Sequence, residues 1–255
     1  LNGRKQKVSW ESKTMNVLIP MAGRGSRFAT QGYTFPKPLI DVKGKPMIQV
    51  VVDNLNIKAK YTFIVQKEHY EKYSLQYLLN LIAPDCNIVQ VDGITEGAAC
   101  TTLLAKEFID NDEPLLMANS DQFVEWDSNE TLYAFSNGDC DGGILTFPAS
   151  HPKWSYAKLD ENGFVSEVAE KKPISEHATV GIYWWKKGSD YVKYAEQMIK
   201  KDIKTNGEFY VCPVFNEAIG DDKKVRIKEI DKDGMWGIGT PEDLNDFLKN
   251  YQGNI

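Results

Sequence analysis

Short apolar segments alternate with longer amphipathic segments through the first half of the chain. Buried strands are predicted at "MNVLIP", "YTFIVQ", "NIVQV" and "PLLMAN", the last of which leads to Asp121. Helices are predicted between them, from Pro46 in "PMIQVVVDNLNI", in "KEHYEKYSLQYLLNLI" and in "GAACTTLLAKEFI", where apolar side chains recur at helical spacing. This alternation predicts βαβ units and a mostly parallel sheet covered on both faces.

The second half of the chain has a different pattern. "DGGILTF", "SYAKLD", "GFVSEVAE" and "ATVGIYWW" read as strands separated by short polar turns, so antiparallel hairpins are expected there. Helices follow around Asp190–Lys201 and Pro213–Ile219, then a strand at "KVRIKEI", the stretch "MWGIGT" and a helix from Pro241. We therefore expect an α/β fold, a three-layer sandwich with a mostly parallel, Rossmann-like central sheet and an inserted antiparallel layer.

Length and composition indicate one ordinary globular domain. The 255 residues lie at the upper end of the single-domain range. The fold is expected to occupy residues 15–255, since Met15 opens the first apolar segment. Residues 1–14 are polar and are interpreted as a disordered tail, a tag or a linker from an upstream domain. The oligomeric state stays open, with a homo-oligomer among the alternatives.

Charge and cysteine usage exclude several classes of protein. A net charge of −6 without a basic stripe argues against a nucleic-acid partner. No apolar run approaches the roughly 20 residues that cross a bilayer, and no signal-peptide core is visible, so no membrane partner is expected. The four cysteines form no CxxC pair, which fits reduced thiols and a cytoplasmic location.

The loop "AGRGSRF" after the first strand has the composition of an anion-binding turn. Its glycines allow backbone N–H groups to approach phosphate oxygens closely, and Arg27 adds a cation. The loop is neither a Walker A motif nor a dinucleotide fingerprint. Ten residues later "FPKPL" places Lys37 between two prolines that restrict its backbone.

Three candidate loops follow three of the predicted parallel strands. They are Gly23–Arg27, Glu96–Cys100 and the segment at Asp121. Ligands of open α/β sheets bind outside the carboxyl ends of the strands. The sequence therefore predicts that these three loops converge on one site.

The order of motifs resembles that of the sugar-1-phosphate nucleotidyltransferases, the NDP-sugar pyrophosphorylase type. "MAGRGSRF" followed by "FPKPL" is the specific part of the resemblance. "KPMIQVVVDNL", "NSDQFV", "AEKKP", "TVGIYWW" and "MWGIGTPEDL" are similar to further family segments, so the resemblance extends from Met15 to about Leu248. Within the family the chain looks most like the branch linked to capsule and surface-polysaccharide synthesis.

The resemblance implies a role for each matching residue. Arg27 would stabilise the pyrophosphate leaving group, Lys37 would lie near the α-phosphate or the incoming phosphate, and Asp121 would hold Mg²⁺, the implied cofactor. Lys171 or Lys172 would bind the acceptor phosphate, and Glu170 would reach a sugar hydroxyl. The residues expected to bind the substrates, an NTP and a sugar phosphate or related phosphate, are Met21, Ala22, Gly23, Arg24, Gly25, Ser26, Glu96, Gly97, Asn119, Tyr156, Glu170, Lys171, Lys172 and Gly181.

Departures from the family pattern leave parts of this assignment open. Gly237 stands where the family has a second metal-binding aspartate, so the ion rests on Asp121 alone or recruits Glu208, Asp231 or Asp233. Cys100 stands at the place of the base-reading glutamine, so no thymidine or uridine preference carries over. One tryptophan of the adjacent pair Trp184 and Trp185 is expected in the core, with the other lining the acceptor pocket.

Nucleotidyl transfer is the leading hypothesis on chemical grounds as well. A phosphate monoester is largely dianionic at pH 7, so it needs no general base, only cations, amides and a divalent metal that align and neutralise two anions. The alternatives are a glycosyltransferase that uses an NDP-sugar, for which "NSD" replaces the usual DxD pair, and a non-catalytic nucleotide-sugar binding module.

Overall fold

The computed structural model describes residues 14–23 and 25–255, arranged around one large sheet. The strands of this part of the chain are β1 (Asn16–Pro20), β2 (Asp41–Val42), β3 (Lys45–Pro46), β4 (Lys60–Gln66), β5 (Asn87–Val91), β6 (Leu115–Ala118), β7 (Gln122–Val124), β8 (Gly142–Pro148), β9 (Ser155–Leu159), β10 (Val165–Glu170), β11 (His177–Trp185), β12 (Val225–Glu229) and β13 (Met235–Gly237). The helices are α1 (Ser26–Thr30), α2 (Met47–Leu55), α3 (Lys67–Tyr73), α4 (Leu75–Ile82), α5 (Ala98–Leu103), α6 (Lys106–Ile109), α7 (Ser128–Asn137), α8 (Gly188–Lys200), α9 (Val214–Gly220) and α10 (Pro241–Asn250).

Parallel strands form the first half of the sheet. They lie in the order β5, β4, β1 and β6, with β1 paired to both β4 and β6 in parallel register. Strand β11 adds antiparallel to β6 and carries β8 on its other edge, and β12 continues beyond β8 in parallel. The hairpin of β9 and β10 joins the β6 side of β11 through the pair Ala178 and Tyr156. The predicted fold class, with its inserted antiparallel strands, is confirmed.

Side chains of the central strands alternate between two hydrophobic cores, one on each face of the sheet. Val17 and Ile19 of β1 belong to one core with α2, whereas Leu18 belongs to the other with α8 and α9. Because successive strand residues point to opposite faces, helices must cover both sides of the sheet. Trp184 and Trp185 follow the same alternation, and both are buried.

Two predicted helices are each divided in the structure. The expected helix over Lys67–Ile82 is α3 and α4, which are separated by Ser74 in a left-handed conformation with φ of 50°. The expected helix after Gly97 is α5 and α6, separated by a turn. Apolar spacing continues across both breaks, so periodicity alone predicts one helix where the backbone forms two.

Helix α7 has no counterpart among the predicted elements. Six of the ten residues of its sequence "SNETLYAFSN" are polar, and of the apolar ones Leu132 and Phe135 are buried. The backbone N–H of Glu130 donates to the Asp127 side chain, which caps the helix. That capping pattern, an aspartate followed three residues later by a glutamate, is the sequence signal for this helix.

No helix in the described residues is both long enough and apolar enough to traverse a bilayer.

Candidate active site

Two adjoining cavities open at the carboxyl ends of the central strands. The first cavity, of about 460 Å³, lies against the loops that follow β1, β4, β5 and β6. The second cavity, of about 450 Å³, lies against β11 and the loop between β13 and α10. The two share the side chains that line their junction, which are Asn119, Asp121, Ser155, Glu170 and Tyr183. The predicted convergence of loops is therefore present, and it forms two connected chambers.

Gly25 allows the glycine loop and the proline-flanked lysine to pack together. Its φ is 60°, a left-handed conformation that suits glycine, and it precedes α1. A Cβ atom at this position would lie 3.1 Å from Cβ of Lys37. Pro36 is extended and Lys37 begins a short 3-10 turn, which directs the lysine toward the first cavity.

Lys37 and Asp121 form an ion pair at the junction. Lys37 Nζ donates to Asp121 Oδ2 at 2.8 Å, and the two side chains are 19% and 31% exposed. The backbone N–H of Ile238 donates to the carbonyl of Asp121 at 3.0 Å. Gly239 lies directly against the carboxylate, where any Cβ atom would clash with Oδ2. Asp121 is thus fixed from both sides and borders both cavities.

Arg27 is the cation of the glycine loop that faces the other chamber. Its exposed side chain lines the second cavity, together with Lys171 and Lys153. Lys37 lines the first cavity with Gly23. The structure therefore divides the two predicted cations between the chambers.

The remaining predicted residues fall into two groups by location. Those that line a cavity are Ala22, Gly23, Gly97, Asn119, Glu170, Lys171 and Gly181. Arg24 lies outside the described residues, as do residues 1–13 of the predicted tail. The predicted residues that the structure places away from both linings are Met21, Gly25, Ser26, Glu96, Tyr156 and Lys172.

Packing and ion pairing explain why several of these residues do not line a cavity. Met21 is buried in the core. Tyr156 is fully buried and its hydroxyl donates to the carbonyl of His151 at 2.6 Å. The Glu96 carboxylate accepts from Lys204 at 2.9 Å. Trp184 and Trp185 both lie in the core, so the expectation that one of them lines a pocket is wrong, and the neighbouring Tyr183 lines both cavities.

Glu170 lies at the junction in a partly buried setting. Burial raises the pKa of its carboxyl, while the hydroxyl of Ser155 donates to Oε2 and opposes that shift. Tyr183, deeply buried beside it, shares a hydrogen bond with Thr179 at 3.0 Å. An ionised Glu170 can accept a hydrogen bond from a ligand in either cavity.

Lys171 is held in an uncommon backbone conformation. Its φ is 54°, and its Nζ donates to the Tyr210 hydroxyl at 2.6 Å while lying over the same ring. That hydrogen bond raises the pKa of the Lys171 ammonium, so it stays charged. Tyr210 lines the first cavity, and Lys171 lines the second. A non-glycine residue in left-handed conformation beside a cavity is a feature that clusters at functional sites.

The carboxylates near Asp121 limit how a metal could be held. Asp231 and Asp233 lie away from both linings, whereas Glu208 lines the first cavity. Asp243 Oδ2 lies 3.6 Å from the position that a Cβ atom at Gly237 would occupy. Among the described residues no group of three or more His, Cys, Asp or Glu side chains is arranged to hold a metal. An ion at Asp121 fits this donor set when phosphate oxygens supply further ligands, as Mg²⁺ sites commonly require.

Sequence reasoning missed several side chains of the site. Gln66 and Thr101 line the first cavity, and Lys153 and Asp243 line the second. Gln66 had a usable signal, because it is the polar residue that ends the buried strand β4. Lys153 had none, since it sits in a short polar loop, and Asp243 lies on the first turn of the predicted helix α10, where an acidic residue is common at any helix start.

Comparisons with known proteins agree with this geometry. A family model described as "Nucleotidyl transferase" matches residues 16–253. The bifunctional protein GlmU of Methanocaldococcus jannaschii is 26% identical over 235 residues, covering 90% of this chain and 52% of that protein. The low-salt glycan biosynthesis nucleotidyltransferase Agl11 of Haloferax volcanii is 26% identical over 240 residues, covering 90% of this chain and 64% of that protein. The chain thus spans between half and two thirds of the length of these relatives.

The fold also matches solved structures. The nucleoside-diphosphate-sugar pyrophosphorylase from Vibrio cholerae superimposes with a TM-score of 0.77 at 24% identity, covering 91% of this chain and 99% of that one. At this identity the match concerns the fold.

Proposed function

The chain belongs to the nucleotidyl transferase family, and from that premise we propose that it transfers a nucleotidyl group from an NTP to a sugar 1-phosphate or a similar phosphorylated acceptor. An oxygen of the acceptor phosphate attacks the α-phosphorus of the NTP, the bond from that phosphorus to the β-phosphate oxygen breaks, and pyrophosphate leaves. The observation that carries the proposal is the ion pair of Lys37 and Asp121 at the junction of two cavities. A two-substrate reaction between anions needs such a junction.

The first cavity suits the NTP and the second suits the acceptor. Gly23 and Lys37 border the first cavity, where backbone amides and an ammonium group neutralise phosphate oxygens. Lys171 and Glu170 border the second cavity, which pairs a cation for the acceptor phosphate with a carboxylate for a hydroxyl. The stabilisation is electrostatic and needs no general base.

Arg27 has two candidate roles at this junction. The family resemblance assigns it to the leaving pyrophosphate, whereas its side chain lines the second cavity. Arg27→Ala separates the two. Loss of leaving-group stabilisation lowers kcat by orders of magnitude at saturating substrates, whereas loss of an acceptor contact raises the KM of the acceptor.

Asp121 is the proposed Mg²⁺ ligand. When bound, the ion would neutralise developing charge on the phosphates. Lys37 contacts only Oδ2 of the Asp121 carboxylate, so Oδ1 would be available to hold the ion while Lys37 stays beside it. Binding of Mn²⁺ in the presence of a nucleotide, followed by electron paramagnetic resonance, is expected to be lost in Asp121→Asn and retained in Asp231→Asn, whose carboxylate lies away from both cavities.

The proposed product is an NDP-sugar or a similar NDP-linked metabolite for surface-polysaccharide synthesis. The relative described as a glycan biosynthesis nucleotidyltransferase supports this direction. Family membership favours nucleotidyl transfer over the glycosyltransferase and binding-module hypotheses.

Pyrophosphate release tests the proposal. The purified protein is incubated with Mg²⁺, each of five NTPs and a panel of phosphorylated acceptors, and the expected result is pyrophosphate that appears only when an acceptor is present. Transfer from a supplied NDP-sugar without pyrophosphate would show a glycosyltransferase instead. Binding of nucleotide sugars without turnover would show a binding module.

A further inference from the structure

If the phosphates of an NTP lie at the loop after β1, as in the proposed function, the nucleobase would lie at the end of the first cavity on the β5 side. The cavity runs from the loop after β1, past Gln66 at the end of β4, to Gly93 and Thr95 beyond β5. Neighbouring strands lie about 4.8 Å apart, so the β5 end is on the order of 10 Å from the phosphate loop on β1. That span matches a nucleoside whose phosphates lie at Gly23 and Lys37.

Gln66 presents only a hydrogen-bond acceptor to this end of the cavity. Its side-chain Nε2 donates to the carbonyl of Ala22 at 2.5 Å and to the carbonyl of Gly93 at 3.0 Å. Both partners are backbone carbonyl oxygens, so the amide must point its nitrogen toward them, and both of its hydrogens are used. The Oε1 atom is the polar atom of this side chain that remains for a ligand.

Thr95 and Thr101, which line the same end of the cavity, also offer hydrogen-bond acceptors to a ligand. Thr95 Oγ1 and Thr101 Oγ1 lie 2.6 Å apart, and they lie 3.0 and 3.2 Å from the carbonyl oxygen of Gly97. One hydroxyl donates to that carbonyl and the other donates to the first hydroxyl, which consumes both protons. Gln66, Thr95 and Thr101 therefore form an acceptor-rich end.

From this arrangement, and resting on the proposed function, we infer that the enzyme selects a nucleotide whose base carries an exocyclic amino group. Such a group brings two N–H donors to the acceptors of Gln66 and the threonines. Uracil and thymine offer a single N–H donor on this edge, at N3, and carry a carbonyl oxygen where cytosine carries its amino group. They would therefore leave at least one of these acceptors facing another acceptor. Cytosine, adenine and guanine all carry such a group, and the test distinguishes among them.

The test compares kcat/KM for CTP, ATP, GTP, UTP and dTTP with one acceptor, alongside calorimetric binding of each nucleotide. The expected result is one amino-bearing nucleotide favoured at least ~10-fold over UTP and dTTP. Gln66→Met, which keeps the length but removes the acceptor, and Thr101→Val, which keeps the shape, are expected to bring that ratio toward one. Gln90→Met on the neighbouring strand, whose side chain is exposed, is the matched control and should leave the ratio unchanged.

The outcomes separate this inference from the proposed function. A preference for UTP or dTTP over every amino-bearing nucleotide overturns the inference while leaving nucleotidyl transfer intact. If no nucleotide is turned over with any acceptor of the panel, the proposed function fails, and the calorimetric ranking of the nucleotides still decides which base the cavity prefers. If no nucleotide binds, both are overturned.

Discussion

Lys37 and Asp121 are 84 positions apart in the chain, yet Nζ and Oδ2 lie 2.8 Å apart at the junction of the two cavities. The pair joins the proline-flanked segment to the carboxyl end of β6. It is partly exposed, so the contact itself contributes little to stability. Its importance lies in placing a cation beside the carboxylate that would hold the metal.

Lys37→Ala is therefore expected to separate activity from stability. Pyrophosphate release should fall at least ~100-fold, because a preorganised charge at the phosphates is lost. The free energy of unfolding should change by less than about 1 kcal/mol, as for other partly exposed ion pairs. Lys45→Ala is the matched control, since Lys45 pairs with Asp53 at 2.7 Å away from both cavities. Equal loss of activity in both variants would contradict the assignment.

Glu170→Gln is expected to stabilise the protein at neutral pH and to weaken binding of the acceptor substrate. Burial raises the pKa of Glu170 in the folded state. The folded protein therefore binds this proton more tightly than the unfolded chain, and the contribution to stability is greatest at low pH and is lost as the pH rises through the folded pKa.

The glutamine variant removes that pH-dependent loss. Its melting temperature should exceed that of the wild type at pH 7, and the difference should shrink as the pH falls into the ordinary carboxyl range. The KM for the acceptor substrate should rise about 10-fold, because the negatively charged carboxylate that accepts a hydrogen bond from it is replaced by a neutral amide. Glu167→Gln, on the exposed face of the same strand, should change neither quantity.

Gly239→Ala and Gly237→Ala test how tightly Asp121 is packed. An added methyl group at Gly239 clashes with the Asp121 carboxylate, whereas at Gly237 its nearest neighbour lies 3.6 Å away, at ordinary contact distance. Turnover should fall at least ~10-fold in Gly239→Ala, because a small displacement of a catalytic group is costly. Gly237→Ala should retain near-normal turnover. Similar losses of turnover in the two variants would show that activity depends on the backbone of residues 237–239 and not on the contact with the Asp121 carboxylate.

Lys171→Ala and Lys172→Ala decide which lysine contacts the acceptor. Lys171 lines the second cavity and is held by Tyr210, whereas Lys172, exposed like Lys171, lines neither cavity. The KM of the acceptor should rise about 10- to 100-fold in Lys171→Ala, the range for losing a charged hydrogen bond, and stay near wild type in Lys172→Ala. A larger effect from Lys172 in steady-state kinetics would reverse the assignment.

Much of the fold follows from short-range patterns. The apolar runs of β1, β4, β5 and β6 alternate with amphipathic segments, and the rule that ligands bind at carboxyl ends brought the Gly23 loop and Asp121 together correctly. The division at Ser74 was not predictable in the same way, because the apolar pattern continues through the break. Helix α7 was missed because burial of Leu132 and Phe135 stabilises a mostly polar sequence.

The candidate site shows a sharper limit. Residues that follow a strand directly, such as Gly23 and Asp121, have positions set by topology. Tyr156 was expected at the site and the Trp184–Trp185 pair was expected to divide between core and pocket, but all three are buried, because strand alternation gives two faces and only the packing determines what covers each. Lys153 reaches the second cavity from the loop before β9, and nothing in its neighbours along the chain indicates that.

The five side chains common to both cavities have a consequence for inhibition. A single molecule that spans the junction contacts all of them while losing its translational freedom once, whereas two separate substrates lose it twice. A linked bisubstrate compound should therefore bind far more tightly than either half. The condensed product is itself such a compound, so its departure is expected to limit throughput and to restrain the enzyme when the product accumulates.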